Sequence, residues 1–165
     1  MAFEISLPSA SEATNEIGVN QETIMDATFF NIGICEMSAD LFVQSVKKGY
    51  DSKDFIEKLM NSETAIYLYD KVDTQMWLGS NYIIQTLEQE VSINKGKTYP
   101  EDMMSWIGYL FACWNLSYEK DMPKDMLKQA PVDVLVLSYQ GLHVMSFEDA
   151  IKELKTIYLA NKRGE

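Results

Sequence analysis

The residues best suited to nucleophilic or metal chemistry are one histidine, His143, and two cysteines, Cys35 and Cys113. Their settings argue against both uses. A zinc site takes several Cys or His ligands at short spacing, and His143 has no such neighbour. A general base needs a positioned substrate and an orienting carboxylate. Asp149 is the candidate for that second role, but a lone histidine at a helix end is ordinarily structural. The cysteines lie in apolar helical contexts, far apart, with no flanking sequence that would activate a thiolate. They read as small buried thiols of a reduced protein. No Gly-rich phosphate loop and no Gly-x-Ser-x-Gly elbow occur. Glu36 and Asp40, four residues apart, share a helix face. With Asp70 and Asp73 they could form an acid–base pair or a cation site, yet a chain with 25 acidic residues yields such pairs by chance. The sequence therefore assigns no catalytic residue, no metal ligand and no cofactor.

Aromatic residues offer a different chemistry. Met76, Trp77 and Leu78 fall in a stretch, 73–79, that otherwise reads as a loop. They either plug the space under neighbouring helices or anchor a partner, a use for which Trp and Met are favoured. Trp106, Tyr109, Trp114 and Tyr118 share one long helix and cannot all point to one side. Trp106 and Tyr109 are expected to face outward or toward the other half of the chain. The candidate partner-binding residues are thus Met76, Trp77, Leu78, Trp106 and Tyr109.

The formal net charge of −11 excludes nucleic acid as an expected partner, because phosphate binding needs clustered Lys and Arg. It equally disfavours an anionic membrane surface. Acidity on this scale serves solubility or steers the chain toward a basic partner. No charged segment followed by an apolar run opens the chain, and no apolar run reaches the length of a membrane span. A cytoplasmic protein is expected.

The elements that must position these residues read as helices. Only 8 Gly and 4 Pro disfavour an all-β chain of tight turns. Residues 1–20 are polar and aperiodic, a flexible arm. Apolar residues from Ile24 to Val46 recur at helical spacing; Asn20 suits the cap, Gly49 the left-handed stop, and Gly33 a break. Asp51 or Ser52 caps a short helix reaching Asn61, followed by 64–72 and by a helix from Ser80 to Val91. The polar stretch 95–99 reads as a connector. Pro100 fits the first turn of a helix running to Tyr118. Pro123 opens a short helix that Pro131 ends, and the last helix starts after Ser146. Segment 132–138 is β-branched and locally prefers strand, but helix is the favoured reading.

The second half resembles the first. Lys53-Asp54-Phe55-Ile56 recurs as Lys124-Asp125-Met126-Leu127. Ile66 to Asp73 has its counterpart in Val136 to His143, and Ile84 and Leu87 in Ile151 and Leu154. The offset shrinks between elements, where insertions are tolerated. The expected fold is all-α: two tandem related helical units, 21–94 and 100–161, packed as one pseudo-symmetric bundle. The alternative is an α+β fold with two short strands near 65–70 and 132–138.

The same residues carry a family resemblance. Residues 30–89 resemble small bacterial proteins of a domain family of unknown function encoded beside ADP-ribosyltransferase-like toxins. The features shared are the helix through Ile34, Met37 and Leu41, the Ser52-Lys53-Asp54-Phe55-Ile56 run, the turn from Tyr69 to Thr74 and the Ile83-to-Leu87 helix. Residues 104–154 resemble a second family from the same kind of gene neighbourhood, through Trp106-Ile107-Gly108-Tyr109, Trp114, Lys124 to Leu127, Tyr139, Leu142-His143 and Asp149-Ala150-Ile151. The His-Thr pair of the family turn stands here as Asp73-Thr74 and as His143-Val144, which favours a structural His143. The resemblance implies a non-enzymatic antitoxin whose partner is a toxin enzyme. Two other functions stay open: a carboxylate- or metal-dependent hydrolase that reverses a modification, and a homo-oligomeric structural or adaptor protein.

Overall fold

The computed structural model describes residues 21–70 and 78–164, with side chains from residue 31 onward. The expected arm 1–20, the cap Asn20, and Asp73, Met76 and Trp77 lie outside the described residues. The chain divides into two compact units, residues 1–33 and residues 34–165. Helix α1, Gln21–Lys47, is continuous through Gly33, where the sequence suggested a break. The helices that follow are α2 (Ser52–Met60), α3 (Glu63–Leu68), α4 (Ser80–Glu90), α5 (Glu101–Ser117), α6 (Pro123–Gln129), α7 (Val132–Leu142) and α8 (Phe147–Arg163). The fold is all-α. Among the described residues the one β feature is an isolated bridge between Tyr50 and Lys95.

Local signals start and stop these helices. Gly49 takes φ +77° after α1, a conformation that costs other residues but not glycine. The Asp51 side chain accepts from the Asp54 amide at 2.9 Å and caps α2. Behind that cap Phe55, Ile56, Leu59 and Met60 form one buried stripe. Helix α3 has six residues, too few to hold alone. Its orphan amides are met from outside: Ser62 accepts from Ala65, while the Glu90 carboxylate accepts from the Glu63 and Thr64 amides at 2.7 and 3.0 Å. Pro100 is the N-cap of α5 and not a first-turn residue. Pro123 is the first residue of α6. Ser146 caps α8 by accepting from the Asp149 amide.

Both segments that could have been strands are helical. Helix α3 ends at Leu68, short of the expected 64–72. In α7, Pro131 adopts φ −59° at the N-cap, and the helix buries Val132, Leu135 and Leu142. Helix propensity costs β-branched residues at most about 0.7 kcal/mol each. Burying each of those side chains contributes about 1.5–3 kcal/mol, so packing overrides local preference.

Helix α5 is the centre of the second unit. Met104, Trp106, Ile107, Leu110, Phe111 and Trp114 are all buried, which a helix apolar on every side requires. It packs on α6, α7 and α8. Phe42 of α1 meets Phe55 edge-on at 5.4 Å and Phe111 at 6.2 Å. At the α1–α5 crossing a Cβ on Gly108 would lie 2.6 Å from the Ser38 carbonyl oxygen, so only glycine fits. The Ser38 hydroxyl donates to the Gly108 carbonyl at 2.8 Å.

The connector 95–99 and Asn94 before it are bonded to the turn between α1 and α2, the first corner of the fold. The Asp51 and Ser52 amides donate to the Asn94 and Lys97 carbonyls, and the Gly96 amide donates to that of Gly49. Helix α2 then packs directly on α6 and α7.

Candidate functional site

Of the carboxylates singled out in the sequence, Glu36, Asp40 and Asp70 lie among the described residues. Glu36 and Asp40 are exposed on α1. Asp40 accepts from Gln44 at 3.3 Å and from the Ser80 hydroxyl. Asp70 is exposed and borders a depression lined by Tyr69, Asn115 and Glu119. Among the described residues no three His, Cys, Asp or Glu gather as a metal set. His143 is the C-cap of α7, stacked on Tyr139 with ring centroids 4.4 Å apart. Its Nδ1 lies 2.7 Å from the Tyr139 carbonyl oxygen, which can only accept, so the proton sits on Nδ1.

Of the partner-binding candidates, Leu78 is 70% exposed. Trp106 is 8% exposed and edge-on to Tyr139. Tyr109 is half-buried, stacked on Phe147 at 4.6 Å. These two aromatics of α5 turn toward α7 and α8 within their own half, where both rings gain more from apolar neighbours than from water.

The apolar surface lies elsewhere. Helix α7 buries the stripe Val132, Leu135 and Leu142 and carries further apolar residues outside it. The side opposite that stripe carries Leu137, 84% exposed, and the turn after the helix carries Val144, 76% exposed, with Met145 beside it. Asp133 precedes this surface in sequence, and Glu148 and Asp149 follow it; all three are exposed. A depression of about 360 Å³ is lined by Lys128 of α6, by Pro131 and Val134 at the start of α7, and by Ile157, Tyr158 and Lys162 of α8. The sequence held a signal for this face: Val132 to Leu137 is too apolar for a helix that can bury only one side.

Two polar clusters tie the corners of the fold to the closing helix of each half. In the first, the Glu88 carboxylate of α4 accepts from Lys48 at 2.6 Å and from the Tyr50 hydroxyl. Those bonds hold the Glu88 carboxyl below its ordinary range. They push the Tyr50 phenol up to about 12. In the second, Asp121 accepts from Trp114 Nε1 at 2.8 Å, Lys155 Nζ at 2.8 Å and Gln129 Nε2 at 3.2 Å. Burial alone would raise the Asp121 carboxyl, but Lys155, Trp114 and Gln129 together hold it low. Lys155 also lies over the Tyr118 ring at 4.3 Å and the Trp114 ring at 5.1 Å.

Compared with known protein families, with characterised proteins and with solved structures, the chain matches none.

Proposed function

We propose that the chain is a non-enzymatic protein-binding module, and that its partner is a toxin enzyme presenting an apolar patch in a basic surround. The observation that carries this reading is the outward face of α7 and its following turn. Leu137 and Val144 are almost fully exposed, and each would gain about 1.5–3 kcal/mol on burial. Large apolar side chains grouped at a surface mark an interaction site. The acidic residues flanking them, in a chain of net charge −11, suit a basic partner surface and speed its association. The antitoxin role follows from the resemblance of residues 30–89 and 104–154 to families encoded beside ADP-ribosyltransferase-like toxins. The order of four helices, twice over, supports a tandem pair of related units.

The test is co-elution of the purified chain with the product of the adjacent reading frame on a sizing column, with light scattering on the chain alone. A stable complex and a monomeric free chain are expected. The Leu137→Glu/Val144→Glu variant should fold normally by circular dichroism and bind at least about 30-fold more weakly. Separate elution at micromolar concentration would refute the toxin partner. A free chain that is dimeric until the double variant separates it would assign the face to a second copy.

A further inference from the structure

We propose that Cys35 and Cys113 form a modification site, a dithiol that a peroxide oxidises reversibly to an intramolecular disulfide joining α1 to α5. The two thiols are distant in sequence, yet their sulfurs are 3.7 Å apart. A disulfide needs about 2.05 Å between sulfurs and Cα atoms within about 7 Å. The helices are already forced together beside the pair, because Ser38, one turn after Cys35, abuts Gly108, which has no side chain to hold it off. Thiol rotation about Cα–Cβ then has only a short gap to close.

The two sulfurs are inequivalent in the way a two-step oxidation needs. Cys113 is partly exposed and Cys35 is buried. The bond between them keeps Cys113 below the usual thiol range, while that bond and burial push Cys35 up. Cys113 is therefore the attacking thiolate. It takes an oxygen from hydrogen peroxide, giving a sulfenic acid and releasing water. The Cys35 thiol then attacks the Cys113 sulfur, the S–S bond forms, and a second water leaves with the Cys35 proton. The two thiols lose two electrons and two protons, and one peroxide becomes two waters. Sulfenic acids resolve in this way when a second thiol is in reach. The product closes a long loop and restricts the unfolded chain, so the oxidised protein should melt several degrees higher.

The experiment treats the full chain with hydrogen peroxide and reads intact mass, free thiols under denaturing conditions, and melting temperature. The expected result is a monomer lighter by two hydrogens, with no titratable thiol and a raised melting temperature, all reversed by dithiothreitol. Cys35→Ser should instead stop at an oxygen adduct on Cys113, and Cys113→Ser should resist the reagent. Four results would each overturn the proposal: a wild-type chain that keeps both thiols, one that accumulates oxygen adducts, one that links only between molecules, or one that melts lower once oxidised.

Discussion

The two corner clusters fall at positions that the repeat expected from the sequence would pair, and their charges are reversed. Ile84 and Leu87 match Ile151 and Leu154, so Glu88 matches Lys155. By the Lys53–Lys124 match, Tyr50 falls where Asp121 falls. In the first half a carboxylate on the closing helix reaches a cation and a phenol at the corner. In the second half an ammonium on the closing helix reaches a carboxylate and two aromatic rings. The connection is the same and its polarity is inverted. What the fold needs at this place is a bond between corner and closing helix, whichever end carries the negative charge. The surroundings also differ. Lys48 and Glu88 are 39% and 30% exposed, against 24% and 22% for Lys155 and Asp121. The second cluster also satisfies a buried indole and a glutamine amide.

That difference ranks the expected losses. Asp121→Ala strands the buried Trp114 indole N–H and removes the carboxylate from Lys155 and Gln129, which keep the Gln129 Oε1 and Asp125 carbonyl as acceptors, and should destabilise the protein by about 2 kcal/mol in urea unfolding. Glu88→Ala breaks a wetter pair and should cost about 1 kcal/mol or less. Equal losses would end the ranking.

Titration separates the two further. Both carboxyls are held below their ordinary values of 3.8 and 4.5. Their contribution is present above those values and lost as pH falls through the lowered ones. Stability of the native sequence should therefore fall more steeply in acid than that of Asp121→Ala. In the first cluster the phenol adds an alkaline limit. The raised Tyr50 phenol contributes fully below its ordinary 10.0, and that contribution is lost as pH rises through about 12. Tyr50→Phe should remove this loss, read as a flatter melting profile at high pH. The smallest expected effect is that of salt. At about 1 M, with a screening length near 3 Å, the difference between Glu88→Ala and the native chain should shrink more than that for Asp121→Ala.

The helices were legible in the sequence because their signals are local. Gly49, Asp51, Pro123, Pro131 and Ser146 each mark an end where one occurs. Segment 132–138 was ambiguous for a physical reason: its valines favour strand locally, and only burial of Val132, Leu135 and Leu142 decides otherwise. The site was less legible. Trp106 and Tyr109 invite a partner when seen on an isolated helix, but neighbours from α7 and α8, distant in sequence, occupy their faces. The contact between Cys35 and Cys113 has no sequence signature, because it depends on how closely two helices cross at Gly108. The exposed Leu137 could have been found by counting how many sides of one helix a core can cover.

The segment joining the halves ends its role as a tether where it meets the first corner. Gly96 lies so close to Asp51 that an added Cβ would be 2.7 Å from its carboxylate, and the amides that begin α2 are spent on Asn94 and Lys97. Lengthening this joint would unseat the start of a helix far back in the chain.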